Sequence, residues 1–595
     1  MEAGLAPQAA IGGLGSGAEH LPPDCRGMNF YDIDHGLQAL LDIYMDQALR
    51  DHMQPHFHRL GALAGGRLDQ LAATADRNEP VLHSRDRLGR DADWIDYHPA
   101  YREMEAIAYG QIGMHAMSHR GGVLDWPEKL PPLVKYAITY LFVQGEFGLM
   151  CPISVSDTSN FTFLRYADEA LKEKYRDRLL SQDMEAIWKG TQFMTEKGAG
   201  SDVGAVETVA QPEAGHWRLY GEKWFCSHAD ADMALLLARP EGAQPGTRGL
   251  GLFAMPRWLD DGSRNSYRIV RLKPKLGTRS MASGEIRMEG ALAYAIGDVA
   301  NGFKQMMDQV NLSRLSHGVR AASMMRRCLN ESLLAAQSRR QFGKTLAEMP
   351  LLRRQLMKLM VPTEQALSLF AYTAHVMGNA DKGDDQAERL LRLLTPIYKF
   401  RACRDNITVA TGAMEVRGGL GYIEEWVNAR LVRDAHVGVL WEGTSNINAI
   451  DVVTRAVGKV RAHEALKEDL HARLDSADGV PGQFRTTLGG LLDRACDLAA
   501  EIAGRTDQEH RMRQAAGALY HATSAVLMAW EAAEAARRGG DARRLLLSAL
   551  VARHRLEAQD PLRIGEDEWE LTAAGLLLDD APVSMAEAAK VVAAR

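Results

Sequence analysis

Two changes of hydrophobic period divide this chain and limit the folds open to it. From Gly36 to about Leu180 apolar residues return at three- and four-residue spacing, as in Gly36-Leu-Gln-Ala-Leu-Leu-Asp-Ile-Tyr-Met, the pattern of amphipathic helices. Leu130 to Phe147 is apolar almost throughout, which predicts a helix buried on most faces. Near Gly190 the pattern breaks. From there to about Asp298, short β-type runs such as Ala234-Leu-Leu-Leu-Ala alternate with turn residues at a spacing of about 8–12, which suits a small antiparallel barrel or sandwich. Helical period returns at Gly302 and continues to about Val460. The last segment, 461–595, is rich in Ala, Leu and Arg with helical spacing, broken at Gly479, Pro481 and Gly539-Gly540.

The expected class is therefore α+β multidomain. A Gly-, Ala- and Pro-rich arm (1–35), loose or docked, precedes an N-terminal helical domain (36–190). A middle antiparallel β-barrel or sandwich (191–300), a C-terminal helical bundle (301–460) and an additional helical domain (461–595) follow. A chain of 595 residues is too long for one core, so several domains are expected in any case. The apolar stripes of 461–595 need burial. Docking on the core, binding a partner and packing in a homo-oligomer all supply it, and the oligomer is the expectation here.

Composition excludes several functions. Net charge is −7, which gives no electrostatic pull toward nucleic acid or anionic membrane. Residues 455–595 carry 19 Lys and Arg against 22 Asp and Glu, so this segment is not a phosphate-binding domain by charge. Six cysteines without a Cys-x-x-Cys pair fit neither a disulfide framework nor a structural zinc site, and no other metal site is expected. No apolar run approaches a membrane span, and no signal-peptide or transit-peptide pattern opens the chain. The expectation is a cytoplasmic protein.

Five short stretches carry possible chemistry. In Leu440-Trp441-Glu442-Gly443-Thr444-Ser445-Asn446, a carboxylate stands between large apolar residues and a turn-forming run. Such a setting can desolvate it, raise its pKa and poise it to take a proton from carbon; a solvated helix cap is the plainer alternative. Phe193-Met-Thr-Glu-Lys-Gly-Ala-Gly-Ser-Asp-Val-Gly204 lets backbone N–H groups approach a pyrophosphate or a flavin edge, or is simply a surface loop. It is no nucleotide P-loop, because Gly-Lys-Ser/Thr is absent at the needed spacing. Lys223-Trp224-Phe225-Cys226-Ser227 offers an aromatic wall at a strand end, or a half-buried core Trp. Arg339-Arg-Gln-Phe342-Gly343-Lys offers a phosphate-binding fork, or a solvated basic helix end. Glu415-Val-Arg-Gly418-Gly419-Leu-Gly421-Tyr422 invites close backbone approach, or is a tight interhelical turn.

In this order and spacing, Thr195-Glu-Lys-Gly-Ala-Gly-Ser-Asp, Lys-Trp, Arg-x-x-Phe-Gly, Gly-Gly-x-Gly-Tyr and Trp-Glu-Gly-Thr resemble the acyl-CoA dehydrogenase flavoprotein family over roughly residues 35–455. Phe193 to Lys197, Trp224-Phe225 and Trp441 to Asn446 look most like its adaptive-response (AidB-like) branch, which is linked to alkylation damage. The resemblance implies FAD between the β domain and the helical bundle. Met194, Thr195, Gly200 and Ser201 would hold the flavin edge and pyrophosphate. Trp224, Cys226 and Ser227 would lie beside the isoalloxazine. Arg339, Phe342, Gly418 and Gly419 would reach the adenosine half, in this family usually from a neighbouring subunit. Trp441, Thr444 and Asn446 would flank the base on the cofactor side.

Glu442 would remove the proton α to an acyl-CoA thioester carbonyl while hydride leaves the β carbon for flavin N5. Arg314 and Gly443 would face the substrate. The alternative base position around Leu312-Ser313 carries no carboxylate. Four departures bear mainly on substrate identity: Glu415 where Gln is common, Cys226 where Thr is common, Trp441 where Tyr is common, and Asn311 where Asp is frequent. The implied function is an FAD-dependent dehydrogenase that passes electrons to an electron-transfer flavoprotein as a homodimer or homotetramer. An acyl-CoA oxidase and a protective, DNA-associated flavoprotein are the alternatives.

Overall fold

The computed structural model describes residues 21–560, 562 and 568–595. Residues 1–20 of the expected arm lie outside the described residues. From Leu21 onward the arm is docked: Cys25 N–H donates to Glu331 Oε1 (3.2 Å) and Gly27 N–H to the Gly65 carbonyl (2.7 Å).

The N-terminal region is built from α1 (His35–Tyr44), α2 (Gln47–Gly65), α3 (Arg67–Arg77), a hairpin of β1 (Val81–Arg85) and β2 (Asp91–Asp96), α4 (Pro99–Glu105), α5 (Pro132–Gly145), α6 (Met150–Tyr166) and α7 (Glu169–Leu179). Local chemistry starts these helices. Asp34, Asp46 and Asp168 each accept a backbone N–H three residues on, and Pro99 and Pro132 occupy first-turn positions. Every residue of α5 after Pro132 is buried, as its nearly continuous apolar pattern predicts. Gly145 permits its approach to α2, because a Cβ there would stand 2.6 Å from the Ala64 carbonyl oxygen. The hairpin is absent from the sequence reading, which took the whole region as helical. Its strands have only five and six residues, too short for alternation to stand out among helices, and cross-strand stacking of His83 on Trp94 (4.9 Å) helps to hold it.

The middle region comprises β3 (Gly190–Phe193), β4 (Val209–Glu213), β5 (His216–Ser227), β6 (Met233–Pro240), β7 (Gly251–Pro256), β8 (Tyr267–Leu272) and β9 (Ser283–Ala295). Successive pairings β6–β4, β4–β5, β5–β9, β9–β7 and β7–β6 close a ring, so this is a barrel rather than a sandwich. It is not wholly antiparallel: β3 and β4 both run parallel to β6.

Three long helices follow, α8 (Gly302–Ser338), α9 (Pro350–Ala380) and α10 (Asp385–Arg417). A two-residue hairpin, β10 (Arg340–Gln341) with β11 (Lys344–Thr345), separates the first two. Short helices α11 (Gly419–Tyr422), α12 (Val427–Ala435) and α13 (Ser445–Ile450) then lead past the candidate base. Buried ion pairs join this bundle to the N-terminal helices: Arg326 with Asp34 and Glu364, and Arg327 with Asp69 and Glu331.

The last helices are α14 (Ala462–Asp475), α15 (Gly482–Ala503), α16 (Met512–Arg537), α17 (Arg544–Val551), α18 (Glu568–Leu578) and α19 (Met585–Ala593). They correct the expectation that this segment's apolar stripes are buried in an oligomer. The chain buries them itself: α16 packs on α9, α10 and α13. The seam is also polar. Arg544 pairs with Glu364 of α9 and Glu531 of α16, and Tyr372 donates to Asp469 (2.7 Å). Among the described residues no helix is long and apolar enough to cross a membrane, and all six cysteines are buried and free.

Candidate active site

The site forms where α13 begins. Glu442 and Gly443 precede it with left-handed backbones, φ +52° and +91°. For a non-glycine residue that conformation costs on the order of 1–3 kcal/mol and persists only where neighbours enforce it. The neighbours are visible. Arg314 Nε donates to the Glu442 carbonyl (3.1 Å), and its Nη1 pairs with Asp451 (2.8 Å), which Arg392 also holds (2.6 Å). The Gly443 carbonyl accepts from Lys399 Nζ and from Asn448 Nδ2 (2.8 Å).

The Glu442 side chain is half-buried. Its Oε1 accepts from Gln192 Nε2 of β3 (2.5 Å) and from Ser313 Oγ of α8 (3.1 Å). Desolvation raises its pKa above the ordinary carboxylate value, against the opposing pull of Ser313, Arg314, Lys399 and Gln192. The Glu442 N–H has no acceptor among the described residues. Burial pushes the Lys399 ammonium down to about 8.

Gln192, the β3 residue that touches this carboxylate, lies two residues before Met194 and the loop that follows β3. Its geometry depends on a buried ion pair: Glu196 accepts from Lys223 Nζ of β5 (2.6 Å) and from the backbone of Glu207 (2.7 Å). Burial alone would raise the Glu196 pKa; the Lys223 charge outweighs it and holds the carboxyl below its usual range. Trp224 N–H donates to the Thr195 carbonyl (2.8 Å), so the strand and the loop share an edge. Met194, Thr195 and Trp224 are partly exposed, and Gly200 and Ser201 fully so. A Cβ at Gly198 or Gly200 would meet nothing within 4 Å. Lys273 Nζ lies 3.1 Å from the centroid of the Trp224 ring.

Hydroxyls, a free backbone edge, open space over glycine and an accessible indole, on the loop and strand that follow the Gln192 contact to Glu442, fit a flavin with its pyrophosphate. Ser227 is partly exposed and its carbonyl accepts from Thr191 (2.7 Å). Cys226 differs from expectation. Its side chain is 0% exposed inside the barrel core, so it offers a ligand no side-chain surface here.

Around the base, Trp441 is half-buried. It lies parallel to Phe147 (centroids 6.4 Å, 5°) and edge-on to His317 (5.3 Å). Thr444 and Asn446 are exposed at the start of α13. Arg314 is 4% exposed and spent on Glu442 and Asp451, which makes it a brace for the loop rather than an outward-facing substrate contact. A second cluster stands apart. Arg339 Nη1 donates to the Arg417 carbonyl (3.3 Å) and lies against Gly418, while Phe342 is 94% exposed at the hairpin tip and Gly419 has open space above it. No hydrogen bond or ion pair joins this cluster to Glu442 among the described residues.

Sequence reasoning missed Gln192, Lys399, Asp451 and the Glu196–Lys223 pair. Each is an unremarkable polar residue in sequence and gains its role only from partners 27 to 250 residues away. Ser313 entered the sequence reading only as a position without a carboxylate, although it touches Glu442 in the fold.

This α–barrel–α architecture with a carboxylate at the barrel–bundle seam defines a class, and comparison with known proteins identifies it. Residues 21–186 match the adaptive response protein AidB N-terminal domain, 191–291 the acyl-CoA dehydrogenase middle domain, and 300–458 the acyl-CoA dehydrogenase C-terminal domain. The chain belongs to the acyl-CoA dehydrogenase family, whose members typically bind FAD, and carries an AidB-type N-terminal domain.

Putative acyl-CoA dehydrogenase AidB of Escherichia coli is 32% identical over 413 residues, 67% of this chain and 73% of that protein. Acyl-CoA dehydrogenase family member 11 of Caenorhabditis elegans is 32% identical over 403 residues, 66% of this chain and 65% of that one. The solved structure of Caenorhabditis elegans ACDH-11 in complex with C11-CoA superposes with a TM-score of 0.84 at 25% identity, covering 93% of this chain and 95% of that one.

Proposed function

We propose that this chain is an FAD-dependent acyl-CoA dehydrogenase in which Glu442 takes the proton α to a thioester carbonyl. The setting of that carboxylate carries the proposal. It is half-buried, raised in pKa by desolvation, oriented by Gln192 and Ser313, and held on a strained backbone. A carboxylate tuned upward is a stronger base toward carbon than a solvated one. The unpartnered Glu442 N–H is available to donate to the thioester oxygen, where negative charge develops as the proton leaves. Arg314 and Lys399 keep the two carbonyls of the Glu442-Gly443 turn in place, so the N–H and the carboxylate are presented together.

FAD, when bound, supplies the acceptor for hydride from the β carbon. Met194, Thr195, Gly200, Ser201, Trp224, Ser227, Trp441, Thr444 and Asn446 would hold its flavin half, with Cys226 contributing backbone only. Arg339, Phe342, Gly418 and Gly419 would hold the adenosine half of a neighbouring subunit's cofactor. The exposed side chains of Phe342, Leu351 and Tyr422 support a second copy at this face, as a dimer or tetramer. An electron-transfer flavoprotein is the proposed electron acceptor.

The test is Glu442→Gln in purified, FAD-loaded protein. It is expected to keep the flavin absorption band and to lose its bleaching by an acyl-CoA. Bleaching at the parental rate would remove Glu442 from the reaction.

A further inference from the structure

We infer that Arg320 sets the acyl specificity of this site and that the preferred acyl group is short and ends in a carboxylate; this rests on the acyl-CoA reading above. Arg320 is 1% exposed. Five described arginines have 4% exposure or less. Arg314, Arg327, Arg417 and Arg544 each have a carboxylate partner, and Arg320 has none. Its Nε reaches the Ser316 carbonyl (3.4 Å), its Nη2 lies 2.9 Å from His317 Nδ1, its Nη1 has no oxygen or nitrogen partner, and the neutral Cys151 thiol is its other polar neighbour. His317 Nδ1 also stands 2.7 Å from the Ser313 carbonyl, and one ring nitrogen cannot donate to that oxygen and accept from Arg320 at once. A buried guanidinium without a carboxylate partner is costly to a free protein, so its own chain gains no stability from it.

Its position says what would pair with it. Ser313, which touches the Glu442 carboxylate, and Arg320 are seven residues apart on α8. They therefore share a face, about 10 Å apart along the axis. Helical side chains slope back toward the N-terminus, which carries the guanidinium over His317 toward the base. There it stands 5.7 Å from the Trp441 ring and 5.8 Å from the Phe147 ring, the two parallel aromatics beside Glu442. The surroundings favour an anion. Lys399 leans only on a backbone carbonyl, Arg314 is satisfied by Asp451, and Glu442 is the carboxylate whose charge both Lys399 and Arg320 sense. A terminal carboxylate on a short acyl chain gives the fork two parallel bonds and balances the buried charge.

The experiment measures equilibrium binding by calorimetry to FAD-loaded Glu442→Gln protein, so that turnover plays no part. Succinyl-, glutaryl- and adipyl-CoA are compared with butyryl-, valeryl- and hexanoyl-CoA. The carboxylate series is expected to bind about 10- to 100-fold tighter at one chain length. Arg320→Met should abolish that preference, and Arg320→Lys should keep part of it. The melting temperature of Arg320→Met should hold or rise, because an unpaired charge has gone. Tighter binding of the apolar series, or a carboxylate preference unchanged in Arg320→Met, overturns the inference; if Arg320→Met does not fold, an undiminished preference in Arg320→Lys does so. Flavin bleaching by apolar thioesters without any carboxylate preference sinks this inference and leaves the dehydrogenase reading standing. Carboxylate-selective binding with no bleaching in the parental protein does the reverse.

Discussion

Glu442 has a half-buried carboxylate on a left-handed backbone, and both properties have consequences. Because its folded pKa is raised, the base form is lost as pH falls through a value above the ordinary carboxylate range. The acid limb of kcat/KM should therefore lie above where a solvated Glu would place it, and Ser313→Ala, which removes a lowering contact, should move it further up. A pH–rate profile of the two proteins checks this. Lys399 behaves oppositely. Its folded pKa of about 8 lies below that of a solvated lysine, so the unfolded chain binds its proton more tightly. Its charge thus costs stability below about pH 8, and the cost fades as pH rises toward the ordinary lysine range. Denaturant titrations on either side of about pH 8 should show stability rising, with a smaller rise in Lys399→Met; an identical rise would assign it elsewhere, Lys275 being the other buried lysine pushed down to about 8.

The element that matters most is the loop between β3 and β4. Open space lies over its Gly198 and Gly200, and within it Glu196 is fastened to Lys223, a residue of β5 with a 0% exposed side chain. Removing one partner of such a pair strands a buried charge, at about 3–5 kcal/mol. Lys223→Met should destabilise the protein by that order in chemical denaturation and weaken flavin retention on gel filtration. Replacing both residues, Glu196→Gln with Lys223→Met, should recover much of the stability. The motifs containing Glu196 and Lys223 were legible separately in the sequence. Their pairing was not, because 27 residues of loop and strand separate them and no local spacing rule reaches that far.

Across the whole molecule, the last six helices complete the bundle. Glu531 of α16 is 0% exposed and gathers Arg544, Ser368 and Tyr44 from three other elements. Glu531→Ala should therefore lower stability by about 3–5 kcal/mol with the flavin site intact, measured as unfolding free energy beside flavin content. A loss confined to flavin content would contradict the docking role. The acidic balance of this segment and its burial against α9 and α10 both leave it a structural buttress rather than a separate arm.

The sequence by itself determined the order helix, strand, helix, because hydrophobic period and turn residues are local properties that short windows report; closure of the strands into a barrel came from their pairing. It also determined where Glu442 and the glycine-rich loop fall, since both are contiguous strings. Tertiary structure alone decided which charges are paired. Arg314, Arg320 and Arg327 sit within four turns of one helix and look alike as letters, yet one braces a strained turn, one closes an ion-pair network and one is left buried without a carboxylate. That difference arises from carboxylates contributed by distant elements. It also decided that the C-terminal stripes are covered in cis, because burial of an apolar face depends on which surface reaches it first, and an amphipathic pattern does not name its partner.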